Sequence, residues 1–260
     1  MFKTSVFRCL AFITGLFALA VSAADVTYYF KPGTTDWADP SSFCMDSART
    51  VPATRTPGEG DIVETVAGTT YEIDSASPSF GVFANLSKIL ITDRVVLAIA
   101  VAESVVTASP IIRAGTESSV TTGTIRKKGA GTLVLATDTV SQLSYPDNLD
   151  VQGGTLSIFP DHNGNNDFFF GNITVASGAT LSLPWSRTAG SRTNFHSINV
   201  AAGGIVTNAT TREGGHDLGF HSYSPTPRPA SVIAGTLAGN VRLRGERDIL
   251  LCGTNATHRQ

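Results

Sequence analysis

Short runs of Val, Ile, Leu and Thr, each bounded by Gly, Asn, Asp or Pro, follow one another along most of this chain. Within them apolar and polar residues alternate, the period of two expected of a strand with one buried face. No stretch carries a long apolar period of 3.6 residues, so the chain is expected to be all-β. The most apolar segment, residues 95–102 (VVLAIAVA), is too short to cross a membrane as a helix and is predicted to be a buried strand.

The runs recur. Residues 129–135 (GAGTLVL) are followed by 153–158 (GGTLSI), 178–183 (GATLSL) and 203–208 (GGIVTN), so that Thr132, Thr155, Thr180 and Ile205 advance by 23, 25 and 25 positions. A looser copy at 234–237 (AGTL) comes after a wider gap holding the proline-rich segment 224–229 (SPTPRP). Each copy reads as a strand, a tight glycine turn and a second strand. Three short strands at about 3.3 Å per residue, with their turns, use up roughly this many residues, which is one coil of a β-solenoid. A single coil cannot bury its own apolar face, so stability must come from stacking coil on coil. The expected fold is therefore a right-handed parallel β-helix, with Leu133, Leu135, Leu156, Ile158, Leu181 and Leu183 facing inward. A two-sheet sandwich is the alternative, but it would not require the same Gly-Thr-Leu unit to return at near-constant spacing.

Lys3 and Arg8, then an apolar run over 9–21, then Val-Ser-Ala-Ala at 21–24, have the order of a cleaved export signal over residues 1–24, with cleavage after Ala23 or Ala24. The whole chain has 19 Lys and Arg against 21 Asp and Glu; losing the two basic residues of the leader leaves 17 against 21, a net charge of −4. That mild value, with no basic stripe, argues against nucleic acid as a partner. Two cysteines remain, Cys44 and Cys252, at opposite ends of the mature chain. Neither has a CxxC neighbour, and in a stack of coils they are expected to stay unpaired.

Residues 125–135 (IRKKGAGTLVL), Tyr145 and residues 151–156 (VQGGTL) resemble the autotransporter-associated β-strand repeat, also called the passenger-associated transport repeat. That pattern has a basic residue before Gly-x-Gly-Thr-Leu-x-Leu, a central Tyr and a closing Gly-Gly-Thr-Leu. The match is specific over 125–159 and weaker to about 206; the usual glycines after the Tyr are replaced by Pro146, Asp147 and Asn148. The segment with Trp37 and Phe43, and then 57–63 (PGEGDIV), is similar to the opening of such bacterial repeat proteins. Physically, the two aromatics can cover the exposed end of the first coil. The expected organisation is a leader at 1–24, a cap with the first strands at 25–70, and β-helix repeats at 71–260, with the best repeat match at 125–206. The resemblance implies an exported passenger at the bacterial surface or outside the cell. An outer-membrane barrel, whose alternating strands do not occur before Gln260, is expected only if the chain is part of a longer protein.

Candidate chemistry changes this picture little. Residues 161–167 (DHNGNND) look superficially like a calcium loop, but Asn166 stands where a glycine is needed and Asn172 where a glutamate is needed, so a solvated turn is expected. Residues 214–221 (GGHDLGFH) bring His216 and His221 near Asp217; a surface loop is expected there, without metal or nucleophile. Asp138, Asp147, Asp150, Asp161 and Asp167 fall mostly at turns and form no pair at one phase of adjacent coils, as a sugar-cleaving groove would require. Trp185, Phe195, Phe220 and Tyr223 are read as out of phase for a stacked carbohydrate platform. Sequons at Asn85, Asn172, Asn208 and Asn255 arise readily in a Ser/Thr-rich chain. No catalytic, cofactor-binding or metal-ligating residue is assigned. The expected function is a structural or adhesive rod whose insertions, 161–170 and 212–229, touch surface glycans or other cell-surface molecules. A carbohydrate-active β-helix enzyme and a non-catalytic carbohydrate-binding module are the alternatives.

Overall fold

A computed structural model describes residues 26–114, 123–136, 142–144, 148–159, 167–183, 192–208, 216–220, 231–239, 241–244 and 249–252. Residues 1–24, expected to be a leader, lie outside them. The chain opens with β1 (Thr27–Phe30) and a short return strand, β2 (Phe43–Cys44), joined through a single 3-10 turn at Pro40–Ser42. Coils follow. The first is β3 (Ile62–Glu64), β4 (Thr70–Asp74) and the helix α1 (Pro78–Asn85); the second is β5 (Lys88–Ile91), β6 (Val96–Ala100) and β7 (Val105–Ala108). Then come β8 (Ile111–Ala114), β9 (Thr124–Lys128) and β10 (Thr132–Ala136), and after them β11 (Gln142–Ser144), β12 (Asn148–Val151) and β13 (Thr155–Phe159). In the next two coils one long strand precedes a short one: β14 (Asp167–Val175) with β15 (Thr180–Ser182), and β16 (Arg192–Val200) with β17 (Ile205–Asn208). The described chain finishes with β18 (His216–Phe220), β19 (Ser231–Ile233), β20 (Thr236–Gly239), β21 (Val241–Arg244) and β22 (Ile249–Leu251).

These strands form a parallel β-solenoid. Sheet A runs β2-β1-β3-β5-β8, sheet C runs β20-β17-β15-β13-β10-β7, and the large sheet B runs β21-β18-β16-β14-β12-β9-β6-β4 with β11, β19 and β22 alongside. Among the described strands every pairing is parallel except β1 with β2. The repeat seen in the sequence is the register of sheet C. Thr132 stands beside Thr155, Thr155 beside Thr180, Thr180 beside Ile205, and Ile205 beside Thr236.

Parallel in-register stacking places like side chains on like. One inward column of sheet B is Tyr71, Leu97, Ile125, Leu149, Ile173 and Ile198, each at most 1% exposed. Leu133, Leu156, Leu181 and Val206 answer it from sheet C, and Leu135, Ile158 and Leu183 are buried with them. Each such aliphatic side chain contributes roughly 1.5–3 kcal/mol on burial. The six residues expected inside are all inside, because the two-residue period of a strand leaves no other choice once one face is covered.

The amino-terminal end is closed by aromatics. Trp37 is fully buried, with its ring centroid 4.8 Å from that of Phe30, 5.7 Å from Tyr71 and 5.9 Å from Phe83; Phe30 lies 4.4 Å from Phe43. Below this plug, the Asp61 carboxylate accepts from Gly58 N–H and from Arg55 Nη1, both at 2.8 Å, and so fixes the turn that enters β3. Both β1 and β3 hydrogen-bond into sheet A, so the expected cap region is built on the first strands of the solenoid itself. Trp37→Ala is expected to cost about 3–5 kcal/mol, the usual loss for truncating a buried large aromatic, read as a lowered urea midpoint with an unchanged slope.

One element departs from the all-β reading. The helix α1 stands where the first coil would place its sheet C strand. Its Ala84 carbonyl accepts from Ser109 N–H at 2.9 Å, just past β7, and Phe83 is buried in the plug. The helix thereby covers the exposed edge of sheet C, a place where an unpaired strand would invite aggregation. At eight residues, with Pro78 at its start, it is too short to show a helical period in the sequence.

Candidate functional site

Two outer faces and one buried amine carry the polar chemistry of the described residues. On sheet B, alternation points residues 124, 126 and 128 of β9 outward, together with their register partners. There Asn148 Nδ2 donates to Thr124 Oγ1 at 3.4 Å, Asn172 Nδ2 to Asn148 Oδ1 at 2.9 Å, and Ser197 Oγ to Asn172 Oδ1 at 2.7 Å. These four residues are successive register partners, so one hydrogen-bonded polar ladder runs along the stack. Beside it, Arg126 Nε meets its partner Asp150 at 2.7 Å, and Gln152 Nε2 donates to the same carboxylate at 2.9 Å. Lys128 reaches across β6, whose outward residues Ala98 and Ala100 are small, to contact Glu72 at 2.9 Å. These partly exposed pairs are worth about 1 kcal/mol or less each. Their carboxylates are engaged by cations.

Sheet C is different. None of its six strands contains a charged residue. Its outward rows hold Thr132, Thr155, Thr180 and Thr236, and next to them Ser157, Ser182 and Thr207, with Val105, Ile205, Val134 and Ala238 in the same rows. The rows are spaced as parallel strands are, about 4.8 Å apart.

The buried amine is Lys127. It occupies a core column of sheet B, between Ile99 and Val151 and in line with Ile73, Val175, Val200 and Ile233, and is fully buried. Its Nζ donates to three carbonyls, of Lys128 at 2.7 Å, Gly129 at 2.9 Å and Gly153 at 3.1 Å. The ammonium thus ties the corner of one coil to the corner of the next, and the Lys128 carbonyl accepts from Val101 N–H at 3.0 Å as well. Burial pushes its pKa down to about 8. Its inward direction could have been read from strict alternation after Ile125, which puts Lys127 on the core side and Arg126 and Lys128 outside.

The sequence-expected sites fare unevenly. Residues 161–166, Trp185, His221 and Tyr223 lie outside the described residues. The expected surface loops at 161–170 and 212–229 are partly sheet: Asp167 to Phe170 lie in β14, and His216–Phe220 is β18, paired with β16 and β21. The glycines flanking 216–220 suggested a loop, but in-register neighbours on both sides supply its backbone partners. Phe195 and Phe220, expected to be out of phase, are register partners of one another and follow Phe170 at steps of 25 residues. Phe195 is fully buried and belongs to the core. The same backbone register sets residues Asp167, Arg192, Asp217 and Arg242 in one row. Cys44 is buried, Cys252 exposed, and both are free thiols. Among the described residues no three His, Cys, Asp or Glu side chains converge as metal ligands, and no helix is long and apolar enough to cross a membrane.

Searched against protein families, curated proteins and solved structures, the chain matches none. What the geometry defines is a class, the parallel β-solenoids.

Proposed function

We propose that this chain is an exported, non-catalytic rod of the passenger type, working at the bacterial cell surface or outside the cell. In this reading its coils hold sheet C against uncharged glycan chains. The chemistry of sheet C carries the proposal: six strands without a charge, presenting hydroxyls and methyls in rows at a fixed spacing. A neutral sugar chain offers the same mixture of hydroxyls and apolar C–H surface, so contact desolvates no ion on either side. The leader at 1–24 and the repeat resemblance at 125–159 support export by the passenger route. A sugar-cleaving enzyme would need carboxylates free to exchange protons with substrate. On sheet B, Asp150 and Glu72 are instead engaged by Arg126 and Lys128.

The test is retention of the mature chain on a panel of insoluble neutral and acidic polysaccharides, with sugar release followed in the same tubes. Retention on a neutral polymer, weakened tenfold or more by Thr155→Lys with Thr180→Lys, is the expected result. Retention on none of the neutral polymers would overturn the contact surface, and release of reducing ends or unsaturated sugars would overturn the non-catalytic assignment.

A further inference from the structure

The two outward rows of sheet C are not alike. The row nearer the glycine corners is Val105, Thr132, Thr155, Thr180, Ile205 and Thr236, in register from β7 to β20 without a break. Every member is β-branched. The second row, two residues further along the same strands, mixes Thr107, Val134 and Thr207 with Ser157, Ser182 and Ala238. Strand propensity acts on both rows alike, so it does not account for the difference. Val105 is exposed and the other five members of the first row are half-buried, so each keeps surface toward solvent, whereas Ser157 in the second row is buried. β-Branched side chains are stiff at χ1, so the methyls and hydroxyls of the first row are held in place before anything binds.

The shape of this face fixes a direction. Its two rows lie about 7 Å apart, while six strands stacked about 4.8 Å apart span about 24 Å. The uncharged surface is therefore a strip several times longer than wide, running along the stack and across every strand. Sheet B offers no such strip, because the Arg126–Asp150 and Lys128–Glu72 pairs lie across its outward rows. We infer, resting on the glycan reading of sheet C, that the bound polymer is an extended chain of β-linked neutral sugars lying along the stack, one sugar to a coil. In an extended chain each sugar advances by close to the coil spacing, so the β-branched row meets each ring in turn. The methyls of Val, Ile and Thr cover the C–H face of the ring, and the Thr hydroxyls exchange hydrogen bonds with its hydroxyls. The α-linkage of starch curls a glucose chain into a helix, which leaves a straight row after a sugar or two. A chain laid across the strands would meet only the two outward positions of one coil before reaching the corner.

Calorimetric titration of the mature wild-type chain with soluble glucose oligomers of the cellulose and starch linkages tests this, beside the retention panel on insoluble polymers. Affinity for the cellulose-type series should rise with every sugar from dimer to hexamer, by tenfold or more overall, with one hexamer bound per chain. Starch-type oligomers should gain nothing with length. Thr180→Lys places a charge in the middle of the row, on a side chain that already points outward. It should weaken hexamer binding tenfold or more and leave the dimer, which can use the coils to either side, nearly unchanged. An unchanged far-ultraviolet spectrum and urea midpoint secure the fold of this variant, and the wild-type length series decides without it. Retention on no neutral polymer would overturn the glycan reading and this orientation with it. Retention with no rise of affinity along the cellulose-type series, equal binding of starch-type oligomers, or several hexamers bound to one chain would overturn the orientation alone.

Discussion

Replacing Gly154 by alanine is expected to destabilise the protein by about 4 kcal/mol, near the upper end of single substitutions. Gly154 sits at the corner between sheets B and C with φ at +58°, where an L side chain is strained. A Cβ there would stand 2.2 Å from the Gly131 carbonyl oxygen and 2.6 Å from both the carbonyl carbon and oxygen of Ala130. All of these atoms are backbone of the preceding coil, so no side chain can swing away. The coils are also held at this distance, since Thr155 N–H donates to the Gly131 carbonyl at 3.1 Å and Thr180 N–H to the Gly154 carbonyl at 2.8 Å. Making room means lengthening those bonds and lifting one coil off the next. Gly178→Ala provides the comparison. Its φ is +75°, yet a Cβ there meets nothing within 4 Å, so its cost should be about 1 kcal/mol, that of the backbone conformation alone. Urea unfolding of both variants measures the difference. Equal losses at the two sites would show that backbone conformation, and not the close approach of coils, makes these corners glycine.

The second large effect belongs to Lys127. Lys127→Met keeps the length of the side chain but strands the Gly129 and Gly153 carbonyls, which the amine otherwise joins across two coils. Gly129 is exposed and Gly153 half-buried, so the loss is that of hydrogen bonds from a charged donor, about 1.5–3 kcal/mol each. Part of this is offset because methionine no longer keeps an ammonium out of water. A net loss of about 2 kcal/mol is expected. The pH dependence has a definite sign. The folded-state pKa of about 8 lies below the ordinary lysine value of 10.5, so between these values the unfolded chain binds the proton that the folded chain has released. Wild-type stability should therefore rise as pH climbs from about 8 to about 10.5, and this rise should vanish in Lys127→Met. The neutral amine still has two N–H groups to donate, so losing the proton does not break the corner. A wild-type stability that falls over this window, or the same rise in both proteins, would show that Lys127 is not the group responsible.

Both positions illustrate what a repeat motif can and cannot disclose. The Gly-Thr-Leu unit marks the corner and the sheet C strand after it, and the steps of 23, 25 and 25 residues are the strand register itself. They were legible because in-register stacking forces chemically similar residues to return at one spacing. The ladder from Thr124 through Asn148 and Asn172 to Ser197 obeys the same rule at steps of 24, 24 and 25, and the Phe170, Phe195 and Phe220 row at 25. These rows lie on sheet B, where the strands are flanked by segments of variable length and no glycine motif announces the phase. The segment 216–220 was read as a loop for the same reason. Its strand character comes from neighbours in the stack and not from its own composition.

The candidate surfaces divide in the same way. That sheet C is free of charge follows from its strand sequences once the strands are located. That Arg126 meets Asp150 and Lys128 meets Glu72, so that these two acids of sheet B are engaged by cations, depends on which strand lies beside which. The sequence by itself determined the class of fold, the inward residues of each repeat and the aromatic plug at Trp37 and Phe43, because alternation and periodicity are local and the stack only repeats them. Two features were decided by tertiary structure alone: the helix that takes a strand's place over sheet C, and the carbonyls of two coils that the Lys127 amine binds. Each depends on the coil above or below, which supplies an edge to cover or carbonyls to bind. No pattern within one coil encodes what its neighbour lacks.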